Sequence, residues 1–293
     1  MPVRFNLLLY CIVMNRIIRL IAIAMFVFQF NTSAQDFNIA TYNLRLQTPG
    51  DTGNLWVQRA PHVIALIRFH EFDIFGTQEG FRNQLTDVQK GLPDYDFYGA
   101  GRDDGKEKGE HSAIFFRKDR FTLVRHGDFW LSETPDQPSK GWDATCCNRI
   151  CSWVYLTDKL TGKNFYVFNA HFDHQGTVAR VESSKLILQR INTIAGRDPV
   201  IFCGDLNGSQ QSEWYKNLEN SGLLHDAFRQ VNFPYANNGT FNGFGRNLQD
   251  KNIIDHIFVT EHFLVSKWGI LSDSYSGKFP SDHFPVLARM KLK

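Results

Sequence analysis

Four short apolar segments of this chain run into, or lead out of, polar residues that a buried strand accommodates poorly. Val200-Ile201-Phe202-Cys203 leads into Gly204-Asp205-Leu206-Asn207, and Asp73-Ile74-Phe75-Gly76-Thr77-Gln78 is closed by Glu79. Asp255 sits inside Ile253-Ile254-Asp255-His256-Ile257-Phe258, and Ser281-Asp282-His283-Phe284 precedes Pro285-Val286-Leu287-Ala288. Burying such groups without partners costs about 2–7 kcal/mol for a neutral polar group and more for a charge. Placing them at strand ends, facing water and a metal ion, removes the conflict. A chain patterned this way points to a metal-dependent hydrolase.

The N-terminal segment belongs to a different category. Residues 1–34 hold Arg4, Arg16 and Arg19, no acid, an apolar stretch over 20–30, and the small residues Thr32-Ser33-Ala34. A basic start, an apolar run of about ten residues and small residues before a break predict a cleaved secretory signal peptide, with cleavage after Ala34. The run is too short to span a bilayer comfortably. Met14 gives a more ordinary start than Met1. Export to the periplasm or medium follows as an expectation. The remaining 259 residues, 35–293, suffice for one large domain.

Removing three arginines from 32 basic residues leaves 29 against 30 acids, a net charge of −1. That disfavours a broad nucleic-acid surface. Cys146, Cys147, Cys151 and Cys203 remain. Export permits disulfides, and four cysteines allow three pairings that spacing does not choose between.

Alternating and apolar runs predict strands over 37–44, 73–77, 95–100, 113–117, 121–128, 151–157, 165–170, 200–204, 253–260 and 285–291. Helices are expected around 63–67, with Pro61 starting or kinking it, over 83–92, over 177–195 and near 212–219. Thr177 is the expected N-cap of the longest helix and Gly196 its C-cap. Strands in runs with helices between them suggest two sheets packed face to face under helical cover. Two long loops, 99–111 and 232–251, are candidates for function.

Taken together, Ala40-Thr41-Tyr42-Asn43, Gln78-Glu79, Asn169-Ala170-His171-Phe172-Asp173-His174, Gly204-Asp205-Leu206-Asn207, Ile254-Asp255-His256-Ile257 and Ser281-Asp282-His283 occur in order along the chain. This ordered set resembles the endonuclease/exonuclease/phosphatase superfamily. The His-x-Asp-His string followed by Arg180 is similar to its deadenylase-like subgroup and to exported bacterial members. The resemblance implies an α/β four-layer sandwich of two mixed β-sheets with helices outside. It also implies hydrolysis of phosphodiester or phosphomonoester bonds with Mg2+ or Mn2+ as cofactor.

Carried over residue by residue, Glu79, Asn43 and Asp282 are the implied metal-side residues, suited to a hard cation that prefers oxygen. Asp205 is implied to activate the attacking water. Asn207, two residues on and so on the same side of an extended segment, would hold the phosphate or the water. Asp255 fixes one tautomer of His283 and stabilises its cation, and His171 contacts the phosphate from the other side. Arg102, Glu110, His174 and Arg180 are candidates for substrate binding. Phe241 joins them from a loop that, like those of Trp130, Trp142 and Phe244, carries an aromatic suited either to packing within the loop or to stacking on a base or sugar.

The partner is then a phosphate-ester substrate, either a nucleic acid end or a small phosphorylated molecule, acted on by a monomer without a membrane span. An idle binding module on the same fold is the reading of another class. Metal affinity separates it from an enzyme.

Overall fold

The protein is described by a computed structural model covering residues 36–236 and 238–293, together with Met14. The leader expected over 1–34 lies, Met14 apart, outside the described residues. Residues Phe37–Lys293 form one compact unit.

Twelve strands make two six-stranded sheets among the described residues. In the first, β11 (Phe263–Ile270), β12 (Val286–Leu292), β1 (Phe37–Asn43), β2 (Ile74–Gln78), β4 (Ile114–Arg117) and β3 (Tyr95–Tyr98) lie side by side in that order. In the second the order is β5 (Phe121–Trp130), β6 (Ile150–Asp158), β7 (Asn164–His171), β8 (Val200–Asp205), β10 (Asp255–Val259) and β9 (His225–Asp226). Both sheets are mixed, with β1–β2 and β7–β8 parallel and their other pairings antiparallel.

Period-two alternation assigns each strand's side chains to layers. Ile39, Ile74, Phe165, Val167, Ile201 and Ile257 point between the sheets into one shared core. Their neighbours Ala40, Tyr42 and Phe75 face α1 (Trp56–Phe69) and α2 (Arg82–Gly91) through Val63, Ile67 and Leu85. On the far side, Tyr166, Phe168 and Phe202 face α3 (Thr177–Ala195) and α4 (Glu213–Glu219) through Ile187, Ile191 and Tyr215. The result is the expected four-layer α/β sandwich.

Several local expectations change. Helix α1 runs through Pro61 in its second turn instead of starting there. Thr177 is the first helical residue of α3, and the orphan N–H groups of that helix are met from elsewhere: Asp143 accepts from Val178 N at 3.0 Å and Ala179 N at 2.6 Å. Gly196 does end the helix, at φ 59°. Strand β11 has no counterpart among the expected strands. Its alternation is broken by Ser266 and Lys267, where the register with β12 slips between Val265 and Lys267. Trp130 closes β5, buried, instead of lying in a loop, and its Nε1 donates to the Arg102 carbonyl at 2.7 Å.

Candidate active site

Strand register puts the chemistry at one end of the sandwich. In the second sheet His171 pairs opposite Asp205, and Asp205 opposite Asp255. Three polar residues therefore lie in one row across β7, β8 and β10. In the first sheet Asn43 pairs opposite Gln78, so Glu79 is the next residue beyond β2. Strand β12 is antiparallel to β1 and begins at Val286, opposite Thr41, so Asp282 and His283 arrive at the same end.

Beneath this rim the two sheets are joined by amides. Gln78 Nε2 donates to Asn169 Oδ1 at 2.7 Å and to Thr41 Oγ1 at 3.0 Å, while Asn169 Nδ2 donates to the carbonyls of Thr77 and Ala113. Gly76 makes room for this layer: a Cβ there would lie 2.6 Å from the Asn169 side chain. The rim therefore rests on a fully buried polar layer.

Asn43 is the central support. Its Nδ2 donates to Glu79 Oε1 and to Asp205 Oδ2, both at 3.0 Å, and its Oδ1 accepts from Arg45 N at 2.9 Å. The two carboxylate acceptors fix which end of the amide faces them. Asn43 is thus a clamp between the two carboxylates, with one lone pair of its oxygen engaged by Arg45 N.

Asp205 Oδ1 accepts from Asn207 N at 2.9 Å, closing an Asx turn. Asn207 is accordingly left-handed, at φ 46°, and not extended as expected. Its Nδ2 still reaches the site, lying 3.1 Å from His171 Nε2 and donating to the Phe172 carbonyl at 3.0 Å. Glu79 is also left-handed, at φ 63°, a conformation that costs a non-glycine residue about 1–2 kcal/mol. Strain of this kind gathers where side-chain direction matters for function.

The charges are arranged unequally. Burial, reinforced by Asp255, pushes the Asp205 carboxyl up to about 7. Burial alone would lower the His283 pKa, but Asp255, 2.9 Å from its Nδ1, holds it well above the ordinary imidazole value. His283 Nε2 then faces Asp205 Oδ2 at 3.8 Å. His171 is the opposite case: burial, then the charges of Arg149 and Arg102, keep it well below that value. It stands beside Asn207 and Asp205, 3.6 Å from the latter's Oδ2.

Glu79 and Asp282 face the cleft from the first sheet's side. Burial raises the Asp282 pKa, the charge of His283 opposes this, and Glu79 adds to it. One guanidinium, that of Arg45, spans the two carboxylates loosely, 3.9 Å from Glu79 and 3.8 Å from Asp282. Two largely buried carboxylates that no cation engages in a direct hydrogen bond suit a hard divalent metal. Asp205, Asp255 and His283 also offer atoms within 4.8 Å of one another. That trio fits a metal less well, because the Asp255–His283 hydrogen bond already uses one atom of each.

The cleft has a volume of about 580 Å³. Arg102, Glu110, His174 and Phe241 line it as expected. Arg102 Nη1 donates to Glu110 Oε2 at 2.6 Å, and burial first and Glu79 next push the Glu110 carboxyl up to about 7. Phe241 packs edge-on against His283 with ring centroids 5.1 Å apart.

Arg180 is a correction. It lies outside the lining, donating to the Asp173 carbonyl and stacking 4.5 Å from the Trp214 ring. Arg45 and Arg149 line the cleft although sequence reasoning passed over both. The adjacent cysteines Cys146 and Cys147 line it too, disulfide-bonded to each other, while Cys151 and Cys203 are free and buried.

Residues 40–283 match the endonuclease/exonuclease/phosphatase family. A protein of that family from Bacteroides thetaiotaomicron is 46% identical with a TM-score of 0.86, over 89% of this chain and 100% of that one. A mannosyl-6-phosphatase from B. thetaiotaomicron VPI-5482 is also 46% identical, with a TM-score of 0.84 over 87% and 99%. The catalytic domain of human Nocturnin matches at 20% identity and a TM-score of 0.69, over 88% and 94%, a likeness of fold alone. The chain belongs to the endonuclease/exonuclease/phosphatase family of metal-dependent phosphate-ester hydrolases.

Proposed function

We propose that this chain is an exported, magnesium- or manganese-dependent phosphatase that removes a terminal phosphate from a small phosphorylated sugar, working as a monomer. The observation that carries the reading is the cleft itself. Asp205, Asn207 and the Asp255–His283 pair converge there opposite the carboxylates of Glu79 and Asp282. Its volume of about 580 Å³ suits one small ligand. The 46% identity to a mannosyl-6-phosphatase and the near-neutral charge of residues 35–293 support a sugar phosphate over a long polyanion. Export rests on the leader-like residues 1–34. No helix among the described residues is long and apolar enough to cross a membrane.

Glu79 and Asp282 would hold the metal, which when bound neutralises phosphate charge and orients its oxygens. Asp205, with a pKa near 7, is poised to take a proton from water at neutral pH. Asn43 keeps that carboxylate aimed. Asn207 offers its amide to a phosphate oxygen. The His283 imidazolium stabilises charge developing on phosphorus and can donate its Nε2 proton to the leaving oxygen. His171 keeps Asn207 in place.

The test is a substrate panel run with magnesium, with manganese and with EDTA: mannose 6-phosphate and other sugar phosphates, inositol phosphates, mononucleotides, oligo(A) and bis-p-nitrophenyl phosphate. Metal-dependent phosphate release from sugar phosphates, absent in Asp205→Ala, upholds the reading. Shortening of oligo(A) with no sugar phosphate turned over would replace it with an exonuclease.

A further inference from the structure

Strand β6 runs antiparallel to β7, with Cys151 opposite Ala170. Ile150 therefore falls beside His171, and Arg149 lies one residue beyond the sheet at the catalytic end. Its side chain is 5% exposed yet lines both the main cleft and a small adjoining pocket that reaches Glu79 and His171. A guanidinium this deeply buried needs partners for its donors. Arg149 has few: Nη2 lies 2.7 Å from His174 Nδ1, which must accept, and Nε is 3.5 Å from Asp173 Oδ2 without hydrogen-bond geometry. Nη1 and Nε have no hydrogen-bond partner.

Charges of both signs surround it: Arg102 repels it, while Glu110, Asp173 and Asp205 attract it. Glu110 is already engaged by Arg102, whereas Asp173 accepts from Gln175 N and Gly176 N through Oδ1 and leaves Oδ2 to face Arg149 Nε at 3.5 Å, short of a hydrogen bond. Arg149 lines the same cleft as Asp205, Asn207 and His283, and its Nη1 is buried beside that cleft without a hydrogen-bond partner.

We propose that Arg149 binds the non-bridging oxygens of a terminal phosphate and thereby selects phosphomonoesters over phosphodiesters. A monoester near neutral pH carries about −1.5 to −2 charge and three terminal oxygens, whereas a diester carries one charge and two such oxygens. The planar fork of a guanidinium takes two of those oxygens at once. An additional buried cation therefore rewards the monoester. The inference rests on the phosphatase reading above and names the group that would enforce it.

The experiment compares Arg149→Met, which keeps bulk without charge, and Arg149→Lys with the parent, all loaded with magnesium. The kcat/KM for mannose 6-phosphate and p-nitrophenyl phosphate is set against that for bis-p-nitrophenyl phosphate, and inhibition by inorganic phosphate is measured in parallel. Arg149→Met is expected to lose about 10²- to 10³-fold on monoesters, the scale for truncating a buried charge partner, and less than about tenfold on the diester. Inhibition by phosphate should weaken in step with the monoester loss. Arg149→Lys, a point charge without the fork, should fall between.

Equal losses on both ester classes, or unchanged phosphate inhibition in Arg149→Lys with a melting curve like the parent's, would overturn the assignment while leaving the phosphatase reading intact. A parent that cleaves the diester and no monoester would sink the reading and the inference together.

Discussion

Replacing Asn43 tests the clamp most directly, because the two candidate roles predict opposite orders for two variants. In the structure its Nδ2 donates to Glu79 and Asp205, and the residue is fully buried. A hydrogen bond to a charged group contributes about 1.5–3 kcal/mol, so Asn43→Ala forfeits about 3–6 kcal/mol of positioning. At about 1.4 kcal/mol per decade this corresponds to about two to four decades. Water filling the space recovers part, leaving an expected fall of about 10²- to 10³-fold in kcat/KM.

The pH profile should move as well. Asn43 helps hold the Asp205 pKa down to its value of about 7, so removing it raises that pKa. The base must be ionised to act, so the acid limb of kcat/KM shifts to higher pH. Asn43→Asp should do worse than Asn43→Ala, since it replaces a shared donor with a third carboxylate. The measurement is kcat/KM for p-nitrophenyl phosphate from pH 5 to 9 at saturating magnesium. A metal ligand would show the reverse order, because aspartate binds magnesium better than alanine does. If Asn43→Asp matches or exceeds Asn43→Ala, or the acid limb stays put, the clamp is wrong.

Other perturbations follow from the same geometry. Asp205→Asn and His283→Ala should each cut turnover by about two to four decades, and a folded variant retaining near-parent rates would exclude that residue from the mechanism. Because the folded Asp205 pKa is raised, its charge destabilises the fold, with no penalty below the ordinary carboxylate pKa and the full amount, at most about 4 kcal/mol, once pH exceeds about 7. In EDTA, the melting temperature of Asp205→Asn relative to the parent should therefore rise between pH 5 and pH 8; a flat difference contradicts the buried charge. Glu79→Ala should raise the magnesium concentration for half-maximal activity by at least about tenfold, the lower scale for disturbing a metal's surroundings, which a metal titration reads directly. Arg180→Ala should change kcat/KM less than about threefold, since its contacts are to Asp173 and Trp214; a larger loss in kcat would return Arg180 to the cleft.

Legibility in the sequence divides along one physical line. Asp205, Glu79, Asp255 and His283 lie at or near the ends of apolar strands, which are local features, and the ordered motifs around them carry the family resemblance. The strands could be read because apolar runs such as β7 show within a few residues, while the four-layer arrangement is what the family resemblance implied. What escaped reading depends on register between distant segments. Arg149 is an ordinary surface-type residue in sequence; it reaches the cleft only because β6 is antiparallel to β7 and starts beside His171. The Asp143 cap on α3 arises 34 residues before the helix it serves, and a nearer polar residue, Thr177, drew the cap assignment.

Arg59 makes the same point from the core. It lies on a helix whose pattern reads as half-exposed, yet it is wholly buried, its guanidinium shared among the carbonyls of Leu44, Arg45, Asn54 and Pro280. Those carbonyls belong to the loop after Asn43 and the loop before Asp282. A single buried cation thus ties together the two segments that present the clamp and one of the metal-side carboxylates. No pattern within α1 could disclose that, because the partners are set by the way β1 and β12 pair. The catalytic groups are local in sequence, and the cations that hold and balance them are not. A reader with only the sequence therefore recovers the reaction before recovering the residues that choose its substrate.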